Sequence, residues 1–97
     1  MSTIWLDGAL VAGDRPAINA SDHGLLVGDG VFETAKVVDG EAFALTRHLA
    51  RLRRSAQGLG LTLPRTDDEL RVGVAEVIEA NQPGVGRLRI TVTGGPG

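Results

Sequence analysis

The residues of this sequence with most chemical potential are one lysine, two histidines and two groups of arginines. Lys36 is the sole lysine. A desolvated lysine can lose its proton and form a Schiff base with a carbonyl compound. Nothing around Lys36 marks it as buried, so the pattern alone favours a solvated or supporting charge. His23 and His48 are not at metal-ligand spacing and no carboxylate cluster joins them, so no metal site is read. Ser21, Asp22 and His23 are the residue types of a nucleophilic triad, but sequence neighbours rarely converge as one. Gly28-Asp29-Gly30 lacks the later glycine and lysine of a phosphate loop. The arginines offer more. Arg47, Arg51 and Arg54 fall on one helical face with His48 at its border, and Arg87 and Arg89 share one strand face. Each group reads either as a solvated surface or as an anion site, because guanidinium forks match phosphate and carboxylate oxygens two at a time.

The elements that must position these groups follow from local pattern. Asp7-Gly8 separates Ile4-Trp5-Leu6 from Ala9-Leu10-Val11, and Asp39-Gly40 separates Val31 to Val38 from Glu41 to Leu45. Asp-Gly between short apolar runs predicts a hairpin, since both turn residues need positive φ. Between the hairpins lie Asp14-Arg15-Pro16 and the glycine-spaced stretch Gly24 to Gly30, read as tight backbone rather than a continuous helix. From Thr46, taken as an N-cap, Leu49, Leu52, Ala56 and Leu59 mark one face of a helix that Gly58 and Gly60 end. Thr66 with Glu69 has capping-box spacing and opens a second helix. Its stripe is Leu70, Val74, Val77 and Ile78, and Asn81, Pro83 and Gly84 stop it. Leu88, Ile90 and Val92 alternate with Arg87, Arg89, Thr91 and Thr93 as a strand with one apolar and one polar face. On the preceding strand, Phe32, Thr34 and Lys36 share a face. The chain therefore predicts an α+β fold, a largely antiparallel sheet with two helices packed on it.

Composition narrows the function. Ninety-seven residues make at most one small domain. Aromatic residues are 3% and the net charge is −2, which argues against base stacking and phosphate-backbone binding, so no nucleic-acid partner is expected. The chain has no cysteine, which excludes thiol chemistry within it. The start carries no signal-peptide pattern, and no apolar run approaches the roughly 18 residues of a membrane span, so a soluble, cytoplasmic protein is expected. The strand that runs into Gly94-Gly95-Pro96-Gly97 reads as part of a longer chain.

From Asp22-His23-Gly24 through Gly28-Asp29-Gly30-Val31-Phe32-Glu33-Thr34, then Asp39-Gly40, His48-Leu49-Ala50-Arg51-Leu52, Ser55-Ala56 and the strand Arg87 to Thr93, the sequence resembles the class IV aminotransferases. These fold-type IV pyridoxal-phosphate enzymes include branched-chain aminotransferases, D-amino-acid transaminases and 4-amino-4-deoxychorismate lyases. The resemblance covers essentially the whole chain in order and spacing. It implies that residues 1–97 are the small N-terminal domain of a homodimeric enzyme, with pyridoxal 5′-phosphate held between it and a larger C-terminal domain. Arg51 matches the arginine that binds the cofactor phosphate. Phe32, Thr34 and Lys36 line the substrate side, and Arg87 and Arg89 read the substrate. The cofactor-bearing lysine of the family belongs beyond Gly97 and Lys36 does not match it, so this segment alone holds no catalytic residue and is expected to be inactive. Branched-chain enzymes usually show tyrosine where Arg87 stands, and D-amino-acid transaminases place an arginine where Gly94 stands. Two strand arginines plus Lys36 suit a substrate with two carboxylates. This favours the lyase, which eliminates pyruvate to leave 4-aminobenzoate for folate synthesis, over a branched-chain or D-amino-acid aminotransferase. A non-catalytic anion-binding domain is the reading from another class.

Overall fold

The computed structural model describes residues 2–15 and 18–96; Met1, Pro16, Ala17 and Gly97 lie outside them, and with them the loop readings at Pro16 and Gly97. The first hairpin pairs β1 (Thr3–Leu6) with β2 (Ala9–Ala12), closing at Leu6↔Ala9. Asp7 at φ 49° and Gly8 at φ 97° supply the left-handed turn that this two-residue loop requires. One helical turn, α1 (His23–Leu26), follows where tight backbone is expected. The second hairpin joins β3 (Gly30–Val38) to β4 (Glu41–Ala42), again through two residues with positive φ, Asp39 and Gly40. Helices α2 (Leu45–Gly58) and α3 (Asp67–Asn81) come next, and β5 (Arg87–Thr93) returns antiparallel to β3. The fold is α+β as expected, but its strands form two sheets, β1-β2 and β4-β3-β5.

The three-stranded sheet is covered on one face. Ala35, Val37 and Val92 are buried there, with Leu88 and Ile90 partly so, while Leu49, Leu52 and Ala56 of α2 and Leu70, Val74 and Ile78 of α3 supply the opposing apolar surface. Leu59, placed in the α2 stripe by periodicity, is instead exposed. It is the cap residue beyond the helix, where the backbone no longer repeats every 3.6 residues. The expected capping box of α3 is present: the Thr66 hydroxyl accepts from Glu69 N–H at 3.1 Å, and the Glu69 carboxylate accepts from Thr66 N–H at 3.0 Å. That contact holds the Glu69 carboxyl below the ordinary carboxylate range. Thr46, by contrast, does not cap α2. The helix begins two residues earlier, with Ala44 at φ 54° in the cap position and no side-chain cap. The two-residue strand β4 makes the chain turn before Thr46 is reached.

The β1-β2 hairpin is attached to α3 by shape and by hydrogen bonds. Gly73 is buried against the Trp5 ring, where a Cβ would stand 2.6 Å from Cε2, so only glycine admits the indole. Asn81 acts as more than a helix stop. Its amide accepts from Thr3 N–H and donates to Thr3 C=O, both at 2.8 Å, taking the place of a neighbouring strand.

Candidate functional site

Register brings most of the sequence-predicted site residues together. Thr34 pairs with Arg89, Lys36 with Arg87 and Phe32 with Thr91. Because side chains alternate along a strand, these six lie on the sheet face away from the helices. Phe32, Thr34, Lys36, Arg87 and Arg89 are all exposed. The Arg89 guanidinium lies over the Phe32 ring, 4.0 Å from its centroid, a cation–π contact that fixes one cation flat against the sheet. Among the described residues, Lys36, Arg87 and Arg89 make no ion pair. Three cations on one open face, two of them directly opposite each other, form a surface suited to carboxylates.

Arg51 does not join that group. It projects from α2 toward Glu33, whose side chain alternates with Phe32 and Thr34 and so points to the helix side. Glu33 Oε1 accepts from His48 Nδ1 at 2.7 Å and from Arg51 Nε at 3.1 Å, and lies 3.0 Å from Arg51 Nη2 as an ion pair. The hydrogen bond from His48 does most to hold the Glu33 carboxyl below its ordinary range; the hydrogen bond and charge of Arg51 add to it, while desolvation opposes both. An ionised carboxylate only accepts, so His48 Nδ1 carries its proton toward Glu33. Glu33 and His48 are 17% and 14% exposed at the side chain, against 53% for Arg51. Arg51 is therefore anchored at its inner edge and open at its outer one, a fit for a phosphate monoester at one guanidinium. Arg47 and Arg54 are exposed and make no ion pair among the described residues.

Sequence reasoning did not single out Glu33. The available signal is its place in Val31, Glu33, Ala35, Val37: a carboxylate on the covered face of a strand demands partners. His48 and Arg51, three apart on one helix face, are those partners. The Ser21-Asp22-His23 set forms no triad. Buried Asp22 accepts from Gly24 N–H at 2.8 Å and from the Thr93 hydroxyl at 3.0 Å, while His23 Nδ1 lies 3.7 Å from Asp29. With Gly94 N–H donating to Asp29 C=O at 2.9 Å, these bonds lace the glycine-spaced segment to the end of β5 and set where β3 begins. A Cβ at 94 would stand 2.7 Å from Asp29 Oδ2, so a side chain there would require the Asp29 carboxylate to turn aside.

The fold is shared with solved aminotransferases. The chain superimposes on the Escherichia coli branched-chain amino acid aminotransferase with a TM-score of 0.87 at 26% identity, covering 97% of this chain and 32% of that one. A hypothetical aminotransferase from Mycobacterium tuberculosis, solved in a PLP-bound form, gives 0.84 at 33% identity over 97% of this chain and 34% of that one. In sequence, the chain is 38% identical to a putative branched-chain-amino-acid aminotransferase of Methanocaldococcus jannaschii over 97% of its own length and 33% of that protein's. Residues 30–97 match the family described as amino-transferase class IV, and the chain belongs to that family. It spans about a third of the length of the curated relatives it matches.

Proposed function

We propose that this chain supplies the cofactor-phosphate contact and part of the substrate surface of a pyridoxal-phosphate-dependent aminotransferase, with Arg51 facing the phosphate. The observation that carries the reading is the anchored but outward-open Arg51 guanidinium on the helix side, with a separate cationic sheet face, unpaired among the described residues, on the other. The names of similar proteins add support, since they include branched-chain and D-alanine aminotransferases. When bound, the cofactor supplies an electron sink for amino-acid chemistry. This chain's residues would bind and orient: Arg51 the phosphate, and Phe32, Thr34, Lys36, Arg87 and Arg89 the substrate. Arg87, Arg89 and Lys36 suit a substrate with a second carboxylate.

That same cationic face favours a second reading, 4-amino-4-deoxychorismate lyase. A putative lyase of that kind from Legionella pneumophila has a TM-score of 0.79 at 25% identity over 88% of this chain and 31% of that one. Arg87, where branched-chain enzymes usually carry tyrosine, and Gly94, where D-amino-acid enzymes carry arginine, leave the substrate choice to the strand cations. Steady-state assays of the intact protein separate the readings: dependence on 2-oxoglutarate supports the aminotransferase, and pyruvate release without an amino acceptor supports the lyase. Borohydride reduction of the intact protein with cofactor, followed by peptide mapping, is expected to find no adduct on Lys36. An adduct there would overturn the assignment of Lys36 to the substrate face.

A further inference from the structure

The contacts behind Arg51 bear on how its guanidinium is held. We propose that Glu33 and His48 are positioning residues that lock the inner edge of the Arg51 guanidinium, so that its Nη1 edge stands ready for the phosphate monoester. The inference rests on the reading of Arg51 given above.

Glu33 sits on β3 between Val31 and Ala35, facing α2, where an unpartnered carboxylate would be costly to bury. It is satisfied by the two side chains that one turn of α2 presents together, His48 and Arg51. All three contacts converge on Oε1, at 2.7 Å from His48 Nδ1 and at 3.1 and 3.0 Å from Arg51 Nε and Nη2. Guanidinium only donates and His48 Nδ1 carries its proton toward Glu33, so the 3.1 Å approach of Arg51 Nη2 to His48 Nδ1 is two groups drawn to one carboxylate rather than a bond between them. Of the five guanidinium N–H groups, Glu33 engages those at the Nε edge. The Nη1 edge has no partner among the described residues, and Arg51 remains 53% exposed. A long side chain held in one rotamer before binding loses less freedom when the anion arrives. The carboxylate stands behind the fork, so it orients the cation without occupying the edge that an anion needs.

The test compares equilibrium binding of pyridoxal 5′-phosphate with that of pyridoxal, the same ring without the phosphate, to the intact protein. Arg51→Ala is expected to abolish the preference for the phosphorylated ligand. Glu33→Gln and His48→Ala are expected to reduce it about tenfold, the scale of loss seen when supporting hydrogen bonds are removed behind a ligand-binding group. His48→Asn, whose amide N–H can stand in for Nδ1–H, is expected to restore it. Thermal midpoints of the same samples show whether each variant folds; if Glu33→Gln does not, the His48→Ala and His48→Asn pair carries the test. A preference unchanged in Arg51→Ala would overturn the phosphate reading itself. A preference lost in Arg51→Ala but intact in both Glu33→Gln and His48→Ala would overturn the positioning role alone. Equal weakening of both ligands in those two variants would show a merely structural role and overturn it as well.

Discussion

The two faces of the β4-β3-β5 sheet are built from alternate residues of the same strands, yet they answer to different physics. On the covered face, Ala35, Val37 and Val92 are buried against helix residues such as Leu49 and Leu52, which are 1% and 0% exposed. On the open face, Phe32 is exposed and Lys36 stands directly opposite Arg87. Burial of apolar area explains the first arrangement. It cannot explain the second, because like charges facing each other across strands oppose pairing. The covered face contributes stability, and the open face is the one we propose for an anionic substrate. Glu33 is the exception that links them, a carboxylate on the covered face serving a cation at its rim.

Truncation in the core is the strongest way to break this contrast. Leu52→Ala removes a fully buried side chain and is expected to destabilise the protein by roughly 2–5 kcal/mol, measured by chemical denaturation. A loss below about 1 kcal/mol, the scale of an ordinary substitution, would mean that the face under α2 is not the core.

Glu33 gives an intermediate effect with a pH signature. Glu33→Gln is expected to cost roughly 1–3 kcal/mol near neutral pH, as charge-assisted hydrogen bonds from His48 and Arg51 weaken. The carboxyl is lowered from 4.5 in the folded state, so its contribution is present in full above about 4.5 and fades as pH falls through the lower folded value. The stability gap between the parent protein and the variant should therefore close as pH falls below about 4.5. A gap that stayed open far below that value would contradict the ionised Glu33 in the network.

Local and non-local features explain what the sequence could foretell. Both Asp-Gly turns, the Thr66–Glu69 capping box and the stripes of α2 and α3, Leu59 excepted, depend on residues within a few positions of one another and are present. The alternation that groups Phe32, Thr34 and Lys36 is equally local, and the pairing with Arg87 and Arg89 extended it across strands. Thr46 fails as a cap because a turn set by strand pairing decides where α2 begins. The separate β1-β2 sheet depends on Trp5 meeting Gly73, a contact between elements far apart in the chain. Glu33 with His48 and Arg51 was hidden for the same reason: each residue is ordinary alone, and only packing α2 on β3 makes them one network.

The smallest stability effect should fall on the open face, and it sharpens the contrast most. Lys36 pairs with Arg87 in register, and neither has a carboxylate partner among the described residues. Replacing Lys36 by threonine removes a like-charge opposition and places a β-branched residue on a strand. Lys36→Thr should therefore leave stability within about 0.5 kcal/mol or raise it slightly. The same change should weaken binding of a dicarboxylic substrate by the intact protein while sparing a monocarboxylic one. Arg87→Thr should behave alike, and Arg89→Thr differently, because Arg89 also covers the Phe32 ring at 4.0 Å. Denaturation midpoints and substrate affinities measured on the same three variants decide the matter. If Lys36→Thr destabilises the fold by more than about 1 kcal/mol, the open face contributes to folding and its cations need no ligand to account for them. If stability holds and only the dicarboxylic substrate is lost, the repulsion between Lys36 and Arg87 is the cost of a site kept ready for an anion.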